Sequence, residues 1–304
     1  MEGRSFDRRQ LLAFAGLSGV SGLVPARAQG AMPTRPVPGT DEVLPVIGLG
    51  SSKVVQAIAT DGPAPVAAVL RQLVASGGRV VDTWPRNADN DSAFGRVISA
   101  PDLRDTLWVT TKIDRVGREA GIAQFEATLE HYGREQIDLA QIFSLTDVET
   151  HWPSLRSFKE DGRARYIGVT VAEARLYDAL ETFLSRETPD FVQLNYSITE
   201  RESESRFLPM LADRGIGVII NRPFMNGAYF SRLENEPLPE WTAEFDCHSW
   251  AQFSLKYLLA NPHLTCVLTE TGNPEHMEEN ALAADGPVPD AAARQRMREF
   301  IDAL

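Results

Sequence analysis

Residues whose types offer chemistry stand where short apolar runs end. Asp82 follows Arg79-Val80-Val81, Lys112 follows Val109-Thr110-Thr111, Gln193 follows Phe191-Val192, and Asn221 follows Val218-Ile219-Ile220. A carboxylate, an amine and two amides offer ion pairing, acid–base work and hydrogen bonding to a polar ligand. Other chemistries lack their signatures. The five histidines, His131, His151, His248, His263 and His276, show no metal-ligand spacing. No serine-centred nucleophile elbow and no phosphate-binding P-loop is present. Cys247 and Cys266 are too few for a disulfide scaffold and read as buried thiols, Cys266 within Leu264-Thr265-Cys266-Val267-Leu268. Asp89 and Asp91 read as a solvated loop with helix-capping character. Arg86 reads as a loop charge or as an anion-binding group at a pocket mouth.

The elements that must position these side chains follow from the hydrophobic pattern. Beyond residue 40, strands are predicted over 43–50, 79–84, 107–113, 137–143, 164–170, 191–196, 217–221 and 265–268. Helical spacing falls between them. Val66, Val69, Leu70 and Leu73 share one face, as do Ile122, Phe125, Leu129 and Tyr132, and then Leu176, Leu180, Phe183 and Leu184. Further helices are predicted at 92–98, 151–162, 203–214, 249–261, 274–284 and 289–303. Eight strand–helix alternations in this length predict an α/β fold, a closed (β/α)₈ TIM barrel, as a single domain over 41–304. Such a barrel carries its active site at the C-terminal ends of the strands, which is where Asp82, Asn87, Lys112, Phe143, Gln193 and Asn221 fall.

The 304 residues carry a formal net charge of −12, which argues against nucleic-acid or anionic-membrane binding. Residues 1–28 read as a signal peptide: Arg4, Arg8 and Arg9, a glycine-loosened apolar run, then Ala26-Arg27-Ala28 before Gln29. Asp7-Arg8-Arg9-Gln10-Leu11-Leu12 resembles a twin-arginine signal, so export to the periplasm or another extracytoplasmic space is expected, with no stable membrane insertion after cleavage. Residues 29–40, rich in Pro and Gly, read as a flexible lead-in.

Ordered motifs over residues 43–284 resemble the aldo-keto reductase family. They are Ile47-Gly48-Leu49-Gly50, Asp82-Thr83, Thr110-Thr111-Lys112, Ile137-Asp138-Leu139, the run from Gly162 to Thr170, Gln193-Leu194-Asn195-Tyr196-Ser197, Asn221-Arg222-Pro223-Phe224, Asn273-Pro274-Glu275-His276 and Glu279-Asn280. The resemblance implies transfer of hydride from NADP(H) to a small-molecule carbonyl. A tyrosine then donates the proton, a lysine held by an aspartate lowers that tyrosine's pKa, and a histidine orients the carbonyl.

By this resemblance Asp82 and Lys112 are retained catalytic positions, while Asn87 stands for the tyrosine and Phe143 for the histidine. An amide is no usable acid near neutrality and a phenyl ring neither donates nor accepts. General acid–base help is typically worth ~10²–10⁴-fold, so ordinary carbonyl reduction is expected to be impaired or changed. The resemblance also places Gln193, Tyr196, Asn221, Arg222, Phe224, Gly272 and Asn280 at the cofactor, Tyr196 as the ring stacked on the nicotinamide. Thr269-Glu270 replaces the family's Pro-Gly near the phosphates, so cofactor binding is expected to be weakened. The alternative readings are a non-catalytic binding protein, a pseudoenzyme, and a non-redox isomerase or lyase using Lys112 and Asp82.

Overall fold

The computed structural model describes residues 32–304. The signal-peptide expectation for residues 1–28 lies outside them. The described chain opens with a hairpin, β1 (Thr34–Pro36) and β2 (Val43–Pro45), and then runs β3 (Ile47–Gly50), α1 (Ser52–Gln56), α2 (Ile58–Asp61), α3 (Ala64–Ala75), β4 (Val80–Asp82) and α4 (Ala88–Ile98). It continues with β5 (Trp108–Ile113), α5 (Arg118–Tyr132), β6 (Ile137–Phe143), α6 (Val148–Glu160), β7 (Ala164–Val171), α7 (Tyr177–Leu184) and β8 (Phe191–Asn195). The last part comprises α8 (Glu202–Arg206), α9 (Leu208–Asp213), β9 (Gly217–Asn221), α10 (Ala228–Arg232), α11 (Trp250–Leu259), β10 (Cys266–Thr269), α12 (Pro274–Leu282) and α13 (Ala291–Asp302).

Strands β3 to β10 pair in parallel, each with its sequence neighbour, and β10 returns to β3. The closed (β/α)₈ barrel predicted from the alternation is therefore present. Period-two burial explains the closure. Val80, Trp108, Leu139, Tyr166, Phe191, Ile219 and Cys266 form a compact inner cluster, while Val81, Val109, Ala140, Ile167, Val192, Val218 and Val267 join the larger cluster beneath the helices. A strand buried on both faces needs apolar residues at both parities, which is why these runs read as nearly continuous.

The expected single strand over 43–50 is two. Val43–Pro45 pairs antiparallel with Thr34–Pro36, and Ile47–Gly50 enters the barrel. The expected flexible lead-in over 29–40 is likewise corrected across its described part. The Arg35 guanidinium donates to the carbonyls of Asn261 (2.7 Å) and Leu264 (2.6 Å), and Val37 and Leu44 plug the inner cluster. Glu42 accepts from Arg79 (3.1 Å), Arg165 (2.7 Å) and the Tyr166 hydroxyl (2.8 Å). The hairpin thus seals the end of the barrel remote from the strand C-termini. The helix predicted at 203–214 is also two, α8 and α9, with Phe207 between them and Pro209 at the start of the second, where proline is tolerated. Cys247 and Cys266 are buried free thiols.

Candidate active site

The strand ends bring Asp82 and Lys112 together in the barrel interior. Lys112 Nζ lies 2.6 Å from both carboxylate oxygens of Asp82 and donates to the Thr83 carbonyl at 3.0 Å. Asp82 also accepts from the Thr110 hydroxyl (2.5 Å), Gln193 Nε2 (3.2 Å) and Gln141 Nε2 (3.4 Å). Burial pushes the Lys112 ammonium below the usual lysine range, and the Asp82 charge opposes that push. All three donors of the ammonium are spent on protein groups.

Asn87 is exposed and does not face the cavity above this pair. Its extended backbone places it at the N-cap of α4, where Oδ1 accepts from the backbone amides of Asp89 and Asn90, both at 3.1 Å. Asp91 answers by accepting from the Asn87 amide at 3.1 Å. This reciprocal arrangement satisfies orphan donors of the first turn. Asp91 thus has the capping character foreseen for it, but it is buried within α4 rather than in a solvated loop, and that burial raises its carboxyl pKa.

The space beside Lys112 is instead walled by Trp84 and Phe143. Their ring centroids are 3.8 Å apart with planes inclined at 26°. Trp84 Nε1 donates to Asp114 (2.9 Å), which is in turn held by Gln124 Nε2 (2.9 Å). The Arg86 guanidinium covers Trp84, 3.1 Å from the ring centroid. Sequence reasoning missed Trp84. The signal was there, because Trp84 is two positions beyond Asp82 and so keeps its parity.

A cavity of about 880 Å³ opens above this floor, and its wall includes Asp82, Lys112, Phe143, Gln193, Asn221, Arg222 and Phe224. Gln193 Oε1 and Asn221 Oδ1 are buried acceptors without a hydrogen-bond partner. Two orphaned amide oxygens at one wall suit a ligand carrying N–H donors. Arg222 adopts a left-handed backbone (φ 53°) and is held by a bond from Nη1 to the Ala172 carbonyl at 2.6 Å.

Three expected cofactor contacts lie elsewhere. Tyr196 is corrected outright: its parity is opposite to Gln193, and its hydroxyl lies 2.6 Å from Glu204 and 2.8 Å from Arg294, between the barrel and the outer helices. Gly272 is exposed on the loop before α12, and Asn280 is buried within that helix; neither lines the cavity. Glu270 does line it. Its carboxylate accepts from the Lys53 amide (3.0 Å) and pairs with Lys53 Nζ (3.4 Å). A carboxylate therefore already occupies donors that an incoming anion would use.

Comparison with known proteins agrees with this architecture. Residues 46–299 match the profile of the aldo/keto reductase family. An aldo-keto reductase of Mycolicibacterium smegmatis is 27% identical over 252 residues, covering 79% of this chain and 81% of that protein. An L-galactose dehydrogenase of Arabidopsis thaliana is 26% identical over 184 residues, covering 51% of this chain and 55% of that protein. Among solved structures, the holo form of an aldo-keto reductase from Bacillus halodurans superposes with a TM-score of 0.72 at 18% identity, covering 88% of this chain and 96% of that one. An aldo-keto reductase from Klebsiella pneumoniae in complex with NADPH gives 0.66 at 20% identity, covering 87% and 93%. With the family profile spanning most of the barrel, the chain belongs to the aldo/keto reductase family.

Proposed function

We propose that this protein binds a nicotinamide dinucleotide and a small carbonyl compound in the cavity, and that its carbonyl reduction is impaired for want of a proton donor. The observation that carries the reading is the cavity wall, where Phe143, the position implied for the orienting group, stacks on Trp84, while Asn87, the position implied for the donor, is turned away to cap α4. Gln193 and Asn221 would hold the carboxamide through their unpartnered oxygens, and the cofactor would supply a hydride. Glu270 works against its phosphates, so binding is weakened rather than lost. Lys112 stays a positioning and charge-bearing group. With every donor engaged, it offers no free lone pair, which disfavours the isomerase or lyase reading.

The test is a fluorescence titration of the mature protein with NADPH, followed by an assay of uncharged aldehydes. Binding with turnover about 100-fold or more below that of the Trp84→Tyr/Phe143→His variant, which puts a hydroxyl and an imidazole on the cavity wall, is expected. Unaided turnover equal to that variant's would refute the impaired-donor reading, and absence of NADPH binding would refute the cofactor reading. The double variant gives up the Trp84–Phe143 stack. Its fold should be checked by circular dichroism. We further infer, from the twin-arginine-like residues 1–28, that the chain is exported.

A further inference from the structure

The charges on the cavity wall do not cancel evenly. Asp82 is paired with Lys112, Glu270 with Lys53, and Glu173 with Arg175 outside the wall. Two further cations line the same cavity, Arg86 and Arg222, and among the described residues neither guanidinium has a carboxylate partner. The Arg86 guanidinium sits 3.1 Å from the Trp84 ring centroid, and among the described residues no hydrogen-bond partner claims its donors. Arg222 spends one donor on the Ala172 carbonyl, and its buried Nε has no hydrogen-bond partner among the described residues. A buried donor left unpaired costs free energy comparable to a lost hydrogen bond unless a ligand satisfies it. The left-handed backbone of Arg222 is unfavourable for a residue with a Cβ, and such backbone strain clusters at ligand sites. These features occur in a protein of net charge −12, where unpaired cations in a cleft are not a by-product of basic composition. The wall also carries an apolar stretch, with Trp84, Phe143, Phe224, Phe230 and Leu268.

We infer that the cavity selects an anionic substrate, a carbonyl compound with an apolar body and a carboxylate head received by Arg86 and Arg222. The inference rests on the reading of this cavity as the site for a carbonyl compound. A planar guanidinium accepts a carboxylate through two parallel N–H···O bonds, and such charge-assisted bonds are stronger than neutral ones. The aromatic wall would take the apolar body, leaving the head at the rim near Arg86, which is exposed.

Calorimetric titration without cofactor tests this, using terephthalaldehydic acid and its uncharged methyl ester. The acid should bind about 10-fold more tightly than the ester, and added salt should weaken the acid alone. Arg86→Gln and Arg222→Gln should each lower affinity for the acid by about 10-fold while leaving the ester unchanged, and Arg222→Lys should restore part of the loss. Equal binding of acid and ester, or equal weakening of both by the variants, would overturn the proposal. So would variants that weaken NADPH as much as the acid, because the guanidiniums would then serve the cofactor's phosphates. If neither probe binds while NADPH does, the anion proposal falls and the cofactor reading stands. If the acid binds selectively and NADPH does not, the cofactor reading falls alone.

Discussion

Asp82 and Lys112 form the most demanding contact in the molecule, two opposite charges with 8% and 4% of their side chains exposed. Removing one partner leaves an uncompensated charge in the interior, whereas removing both leaves none. Asp82→Asn should therefore cost about 3–5 kcal/mol in urea unfolding, and adding Lys112→Met should recover a large part of that loss. If the single and double variants unfold alike, the two charges do not act as one unit. At this scale the sequence was legible where a residue's role depends on strand parity. Asp82, Lys112, Gln193 and Asn221 all reach the cavity. It was illegible where a side chain chose between two partners. Asn87 can face the cavity or cap a helix, and only the direction of α4 decides. Tyr196 can face inward or outward, and the carboxylate that draws it outward, Glu204, belongs to a helix packed behind the strand.

Between elements, the fastening of α13 depends on that same carboxylate. Glu204 accepts from Tyr196 (2.6 Å) and Tyr257 (2.8 Å) and pairs with Arg294 (3.0 Å), joining the residue after β8 to α8, α11 and α13. Burial alone would raise the Glu204 pKa, but the two tyrosine hydroxyls and the Arg294 charge together outweigh it and hold the carboxyl below the usual glutamate range. A group whose folded pKa is depressed stabilises the fold above its unfolded value, and that stabilisation disappears as the pH falls through the folded value. Glu204→Gln should therefore flatten the acid limb of thermal stability below the ordinary glutamate pKa of about 4.3, besides lowering stability at neutral pH. An unchanged acid limb would show that other carboxylates govern it. The helices themselves were legible from their apolar spacing. Their junctions were less so, as at α4 against α5, where a Cβ on Gly95 would stand 1.8 Å from the His131 carbonyl oxygen.

As a whole molecule, the barrel is sealed at one end by the hairpin and open at the other to the cavity, so chemistry and closure are kept at opposite ends. The sequence showed the count and order of strands because each parallel strand is an apolar run, yet it read residues 29–40 as a linker because prolines and glycines mask a short antiparallel pair. Export remains our proposal for the intact chain. Cell fractionation with mass analysis should find a mature form beginning at Gln29 outside the cytoplasm, and Arg8→Lys/Arg9→Lys should hold the precursor inside. Finding the uncleaved chain in the cytoplasm of the wild type would defeat it.

The return of β10 to β3 also sets a clock. Thr269 donates to the Gly48 carbonyl (3.2 Å) across 221 positions of sequence. A ribosome adding ~5–20 residues per second needs roughly 10–45 s to travel that distance. During that interval one edge of β3 has no strand to meet, and the unpaired donors and acceptors along it are open to any other strand nearby. The newborn chain therefore requires shelter from self-association for a period fixed by its topology, and a chaperone that holds it for less time would release an open sheet rather than a barrel.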